Sequence, residues 1–162
     1  MAQAKERGAG KASGSGRLRI VGGRFRGRRL PIPDQPGLRP TPDRVRETLF
    51  NWLAPLLPGS RCLDLFAGSG ALGLEAASRG AGEVVLVEHS DPVASQLRSN
   101  VLALEAEGIL VVRAEALTWL GKDPSPFHVV FLDPPYAAGL LGPACERLAH
   151  AGWLAPAARI YL

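Results

Sequence analysis

The sequence predicts an α/β domain built on a doubly wound, mostly parallel sheet, with a small basic β-hairpin in front of it. Three observations predict this. Short apolar runs near residues 61–66, 83–88, 109–113, 127–132 and 158–162 alternate with helix-patterned stretches near 71–79, 91–106, 115–121 and 138–150. Strict alternation of this kind means parallel strands covered by helices on both faces. The first run is followed directly by glycines, and acids stand at the ends of the second and fourth, where such sheets bind their ligands. Charge is also segregated: residues 1–53 carry a balance of +8 and residues 54–162 a balance of −4.

Residues 1–16, rich in Gly, Ala, Ser and Lys, read as a disordered basic tail. Residues 17–38 form the arm. There Arg17, Arg19, Arg24, Arg26, Arg28 and Arg29 alternate with Leu18, Ile20, Val21, Phe25 and glycines, the pattern of a hairpin turning at Gly22-Gly23 or Arg26-Gly27. A concentrated basic segment beside an acidic body reads as a nucleic-acid grip, and arginine suits it because its planar fork clamps phosphate and stacks on bases. A solvated arm without a partner is the alternative. Residues 39–162 make up the main domain. Thr41-Pro42-Asp43 marks a helix start, with an N-cap, a first-position proline and a first-turn acid. Val45, Leu49, Trp52, Leu53 and Leu56 share one face of that helix and are expected in the core. Arg44 and Arg46 lie off this stripe as candidate RNA contacts, and Arg46 suits pairing with a nearby carboxylate equally well.

Within the main domain, the run Arg61 to Phe66 leads into Ala67-Gly68-Ser69-Gly70 and a helical pattern through Leu72, Leu74 and Ala77. Gly68, Gly70 and Gly73 satisfy G-x-G-x-x-G, and Glu88 follows at the spacing of a dinucleotide fingerprint, so a nicotinamide enzyme is one reading. Asp64 opposes it. An anion at the strand end repels the pyrophosphate that a helix N-terminus otherwise attracts. S-adenosylmethionine carries an ammonium group and no phosphate, so Asp64 favours the methyl donor. Glu88 ends the next strand, where a carboxylate accepts from ribose hydroxyls; the alternative is a charge for the helix opened by Ser90, Asp91 and Pro92. After the third strand, Glu115, with Ala116 beside it, is a candidate acceptor for the adenine amino group, or else an N-cap or surface acid.

Asp133-Pro134-Pro135-Tyr136 follows the fourth strand. Asp133 and the Pro134 carbonyl can each accept a hydrogen bond from one amino group, and the Tyr136 ring offers a stacking face. The prolines hold both acceptors still. The arrangement suits a flat, amine-bearing heterocycle taken out of its stack; the alternative is a simple turn.

In this order (basic arm, helix, Asp-x-Phe-Ala-Gly-Ser-Gly, Glu-ended strand, Asp-Pro-Pro-Tyr) the chain resembles the RsmD family of bacterial methyltransferases. The arm strengthens the likeness through Arg19-Ile20-Val21-Gly22-Gly23, Arg26-Gly27-Arg28-Arg29-Leu30-Pro31 and the stretch from Arg39 to Leu53. The resemblance implies a Rossmann-like class I methyltransferase that uses S-adenosylmethionine on the N2 amine of a guanine in 16S ribosomal RNA, within the 30S subunit or its precursor. It implies that Arg39 and Thr41 approach the donor's methionine carboxylate. Asp-Pro-Pro-Tyr is shared with amino-methyltransferases acting on adenine, cytosine or protein glutamine, which stay as rivals beside a non-catalytic RNA-binding fragment. The chain departs from the family pattern in having Glu where Asp is expected at 115. In the family, two further strands follow the fifth, so the sequence is expected to be incomplete at its C-terminal end, with an unpaired edge strand.

Composition fits a cytoplasmic enzyme; the sequence is silent on oligomeric state, and a monomer is the default expectation. A chain of 162 residues suffices for one domain with a real core. No apolar stretch approaches the ~20 residues of a membrane span, and no signal peptide opens it. Cys62 and Cys145 suggest neither a disulfide framework nor a metal site; Cys62 reads as a small buried hydrophobe. His89, His128 and His150 are scattered, so no zinc or Ser-His-Asp arrangement is expected, and the chemistry calls for no metal.

Overall fold

A computed structural model describes residues 16–135, 138–150 and 152–162; the tail expected at 1–16 lies outside them save Gly16, and so does Tyr136. An antiparallel pair, β1 (Arg17–Arg19) and β2 (Arg29–Pro31), precedes a five-stranded sheet. That sheet comprises β3 (Arg61–Asp64), β4 (Glu83–Glu88), β5 (Ile109–Arg113), β6 (Phe127–Phe131) and β7 (Leu154–Tyr161) in the order β5-β4-β3-β6-β7, every neighbouring pair parallel. The helices are α1 (Asp43–Leu53), α2 (Ala71–Ser78), α3 (Asp91–Ala103), α4 (Ala116–Trp119) and α5 (Leu141–Ala149). The doubly wound parallel sheet expected from the alternation is present, and the strand order reverses at β3.

Side chains alternate across the sheet with period two. Cys62, Val84, Leu86, Val129 and Phe131 face one apolar layer, with Leu72 and Leu74 of α2 and Phe50 of α1. Leu63, Val85, Val87 and Val130 face the other, with Ala144 and Leu148 of α5 and Trp153. Burial pushes the Cys62 thiol up to about 11, as befits a core residue. The hairpin joins the first layer: Leu18, Ile20, Phe25, Leu30 and Ile32 are all buried there. Its strands are linked by residues 20–28 rather than a tight turn, with Gly23 and Gly27 both at positive φ.

Two expectations about α1 are corrected. Thr41 makes no side-chain cap, and the helix starts at Asp43 with Pro42 in the cap position. The apolar stripe is not all core either. Leu49 and Leu53 are buried, but Val45 is 43%, Leu56 42% and Trp52 77% exposed. The buried face runs instead through Arg46, Leu49, Phe50 and Leu53, at helical i, i+3, i+4, i+7 spacing. Val45, Trp52 and Leu56 are left lining a groove of about 680 Å³ shared with Ile160 and Leu162 at the outer strand β7. Leu49→Ala is therefore expected to lower unfolding free energy by about 2–4 kcal/mol and Trp52→Ala by under about 1, read from urea denaturation midpoints. Among the described residues, no helix is long and apolar enough to cross a membrane.

Candidate active site

The carboxyl ends of β3 and β4 and the exit of β6 meet around the loop Phe66 to Gly70. Asp64 closes β3 and is 2% exposed; its Oδ2 accepts from the Gly73 amide of α2 at 3.0 Å. Burial pushes its carboxyl up to about 7, against the opposing pull of the Gly73 N–H, and the charges of Asp133 and Glu88 raise it further. Three acids thus share one electrostatic neighbourhood. Gly73 must be glycine there: a Cβ would run into Leu86 and stand 3.2 Å from Asp64 Oδ2. This is the close helix–strand approach that the third fingerprint glycine provides.

Glu88 ends β4, 7% exposed. Its Oε2 accepts from Gly68 N at 2.8 Å and its Oε1 from Ser90 N at 3.1 Å, while His89 Nδ1 lies 3.1 Å from Oε1. A carboxylate offers about four acceptor positions, so capacity remains for ribose hydroxyls. Both readings of Glu88 are thus compatible with one geometry: it orders the loop and the start of α3 while keeping free lone pairs. Gly68 and Gly70 adopt positive φ of 54° and 82°. Ala67 N bonds to Val87 O at 2.9 Å and Gly70 N to Ala67 O at 2.8 Å, fixing the loop across the switch point.

Leu132 is buried, with its N–H on Tyr161 O at 2.9 Å, and the next residue leaves the sheet. Asp133 and Pro135 are exposed and Pro134 half-buried. An exposed carboxylate therefore stands beside a buried one at the same mouth. Tyr136 lies outside the described residues.

The other candidates are more dispersed. Glu115 is the N-cap of α4: its carboxylate accepts from Leu117 N, Thr118 N and Thr118 Oγ1, and these bonds, with Thr118 foremost, hold it below the usual carboxylate range. Ala116 beside it is buried. Arg39 is exposed, and the Thr41 carbonyl accepts from Arg46 Nε at 2.9 Å. Arg46 is corrected as an RNA contact. It is 1% exposed, and its guanidinium is consumed by the Thr41 and Arg19 carbonyls, Asp43 and Glu75. Arg17, Arg19, Arg24, Arg26, Arg28, Arg29 and Arg44 are exposed. Among these, Arg19 faces Asp43 at 3.6 Å, and Arg28 donates to Ala103 O at the C-terminus of α3. The hairpin tip docks on the C-terminal end of α2, where Arg24 N donates to Ser78 O at 2.8 Å, so it lies at the far end of α2 from the Gly loop.

Sequence reasoning missed the segment over that loop. A Cβ on Gly68 would stand 3.1 Å from Leu38 Cδ1, and Ser90 Oγ lies 3.4 Å from Gln35 Oε1. Leu38 and Gln35 therefore wall the mouth from the arm side. No periodicity marks them, only the density of prolines between Pro31 and Pro42. Among the described residues, no three His, Cys, Asp or Glu side chains gather as a metal site.

The sequence matches the family Conserved hypothetical protein 95 over residues 18–162. It is 53% identical over 150 residues to ribosomal RNA small subunit methyltransferase D of Escherichia coli (strain K12), covering 93% of this chain and 76% of that protein. The chain belongs to this methyltransferase D family. A second member, from Haemophilus influenzae, is 46% identical over 151 residues, covering 91% of this chain and 78% of that protein. The E. coli protein yhhF, whose structure is solved, superposes with a TM-score of 0.81 at 50% identity, covering 86% of this chain and 76% of that one. Membership accounts for the Rossmann-like class I methyltransferase architecture and for the hairpin ahead of it.

Proposed function

We propose that this chain is an S-adenosylmethionine-dependent methyltransferase acting on the N2 amine of a guanine in 16S ribosomal RNA, within the 30S subunit or its precursor. Asp64 carries the donor half of the reading. A buried acid bonded to the α2 backbone beside the Gly loop is a poor neighbour for a pyrophosphate and a good one for an ammonium group. The site fits the donor in two further respects. Glu88 keeps acceptor capacity for a ribose, and Gly68, at positive φ with Leu38 close over it, holds a backbone conformation that favours glycine. Asp64, Glu88 and residues 66–70 would hold the donor, whose sulfonium supplies an electrophilic methyl group. Arg39 and Thr41 are proposed for its carboxylate, and Glu115 with Ala116 for its adenine.

The acceptor half rests on Asp133 and on the family. An exocyclic guanine amine is a weak nucleophile because its lone pair is delocalised into the ring. Hydrogen bonds from it to Asp133 and the Pro134 carbonyl localise that lone pair and stabilise the charge growing on nitrogen. Tyr136 is proposed to stack the base and hold the attack geometry, and Asp133 or water takes the proton afterwards. The relatives named as small-subunit ribosomal RNA methyltransferases support an RNA acceptor. The exposed arginines of the arm and Arg44 are its proposed grip. RNA held by both tip and mouth would run along the flank of α2.

Labelled methyl transfer tests the acceptor class: small ribosomal subunits, naked 16S RNA, duplex DNA and bacterial protein are offered in parallel, after calorimetric titration with S-adenosylmethionine and NAD+. The expected result is binding of the methyl donor alone and label in RNA alone. Label in DNA or protein would move the reading to an adenine or glutamine methyltransferase, and NAD+ binding would overturn the donor assignment.

A further inference from the structure

Glu75 is the one charged residue in the helix Ala71 to Ser78, and it is 0% exposed. Burying a lone carboxylate in such a place is costly unless it is fully paired. Here the pairing is complete. Glu75 Oε1 accepts from Gly22 N at 2.8 Å and Arg79 Nε at 3.0 Å, and Oε2 from Val21 N at 3.0 Å and Arg46 Nη1 at 3.2 Å. Four donors fill the four acceptor positions of one carboxylate. Two are backbone amides of the arm. A third, Arg46, also donates to the Arg19 carbonyl at 2.7 Å, so it ties the arm to Glu75 a second time.

One turn further along, Ser78 Oγ donates to Gly22 O at 2.6 Å and accepts from Phe25 N at 2.9 Å. Gly23 lies so close to the Ser78 carbonyl that any Cβ would overlap it. The C-terminal half of α2 is therefore a socket built for the arm. Its N-terminal half belongs to the donor site, through Gly73 on Asp64. The two anchor points, Gly73 and Glu75, sit within one helical turn, about 3 Å apart along the axis.

We propose that Glu75 is a positioning residue for RNA recognition: it fixes the basic arm, through Val21, Gly22 and Arg46, at a set place relative to the donor loop on the same helix. Glu75 has no exposed surface and touches no RNA; it acts through the arm's arginines. The arm is thus assembled before RNA arrives, which spares the ordering penalty of a segment that folds on binding. The proposal rests on the functional reading above, in that the arm is taken to hold RNA.

The test compares Glu75→Gln with the milder Ser78→Ala, which removes two arm contacts and leaves every charge in place. Amide hydrogen exchange of Val21, Gly22 and Phe25 is followed without RNA, beside donor affinity and RNA affinity. The expected result is faster exchange at those three amides with Gly73 unchanged and donor affinity within about twofold. RNA affinity should be weaker by roughly tenfold with a shallower salt dependence, since arm–phosphate contacts are lost, while kcat at saturating RNA is retained. Adding Arg26→Ala should then weaken RNA binding less than it does in the parent, because a displaced arm has already lost that contact.

If exchange accelerates and RNA affinity does not change, the proposal is overturned while the functional reading stands. Equal losses of donor and RNA affinity would overturn it in favour of a purely structural role. Failure of the parent protein to bind RNA at all would overturn both. Should Glu75→Gln fail to fold, the same outcomes on Ser78→Ala decide the question.

Discussion

Asp133→Ala is expected to lower kcat for methyl transfer by about 10²–10³-fold, the range found when one preorganised group aimed at developing charge is removed. Asp133 is exposed at the exit of β6, so its loss should disturb neither sheet nor core. Donor affinity should not fall. It should rise slightly near neutral pH, because the negative charge of Asp133 is one of the influences that keep Asp64 protonated. Asp133→Asn retains an acceptor oxygen and loses the charge, and should fall between the parent and the alanine variant. Single-turnover kinetics with saturating RNA and donor separates chemistry from binding. A variant that raises KM and leaves the chemical step untouched would show that Asp133 binds without activating the amine.

Asp64→Asn should bring two opposite changes, greater stability without donor and weaker donor binding. The carboxyl of Asp64 is raised from 3.8 to about 7 by burial. Between those values the native state holds a proton that the unfolded chain has released. Stability conferred by the neutral form is complete below pH 4, declines as pH rises from about 4 to 7, and is absent above. Asparagine can accept the Gly73 N–H without ionising, so above pH 7 the variant should be more stable by about 1–3 kcal/mol. That advantage should vanish toward pH 4, as thermal unfolding across the range would reveal. Donor affinity should fall by about tenfold or more through loss of the charge facing the ammonium. In the parent, affinity should strengthen as pH rises toward 7, whereas in the variant it should be flat. An unaltered donor affinity would remove the physical reason for preferring the methyl donor over a dinucleotide.

These two acids were legible in the sequence because each ends or directly follows an apolar run, where strand chemistry sets the position. The same holds for Glu88 and for the glycines around the turn. What the sequence hid was long-range. Arg46 sits among charged and polar residues on α1, and what draws it inward includes groups distant in sequence: Glu75, 29 positions later, and the Arg19 carbonyl, 27 positions earlier. Glu75 was readable as an oddity between Leu74 and Ala76, yet two of its four donors are amides of the arm, more than 50 positions upstream. The α1 stripe misled for a related reason. Helical periodicity names an apolar face without saying how much of it a neighbour covers, and Val45, Trp52 and Leu56 face the groove beside β7. Leu38 and Gln35 lacked any periodic signal, since their placement over the loop follows from the course of a proline-rich segment.

The most direct measurement on the central claim is nucleoside analysis of small ribosomal subunits after reaction with isotopically labelled S-adenosylmethionine. The label is expected to appear as N2-methylguanosine in 16S RNA, in a yield that reaches a plateau, and to form about 10²–10³-fold more slowly with Asp133→Ala. Label on an adenine or cytosine, or N2-methylguanosine formed equally well by the Asp133→Ala variant, would contradict the claim.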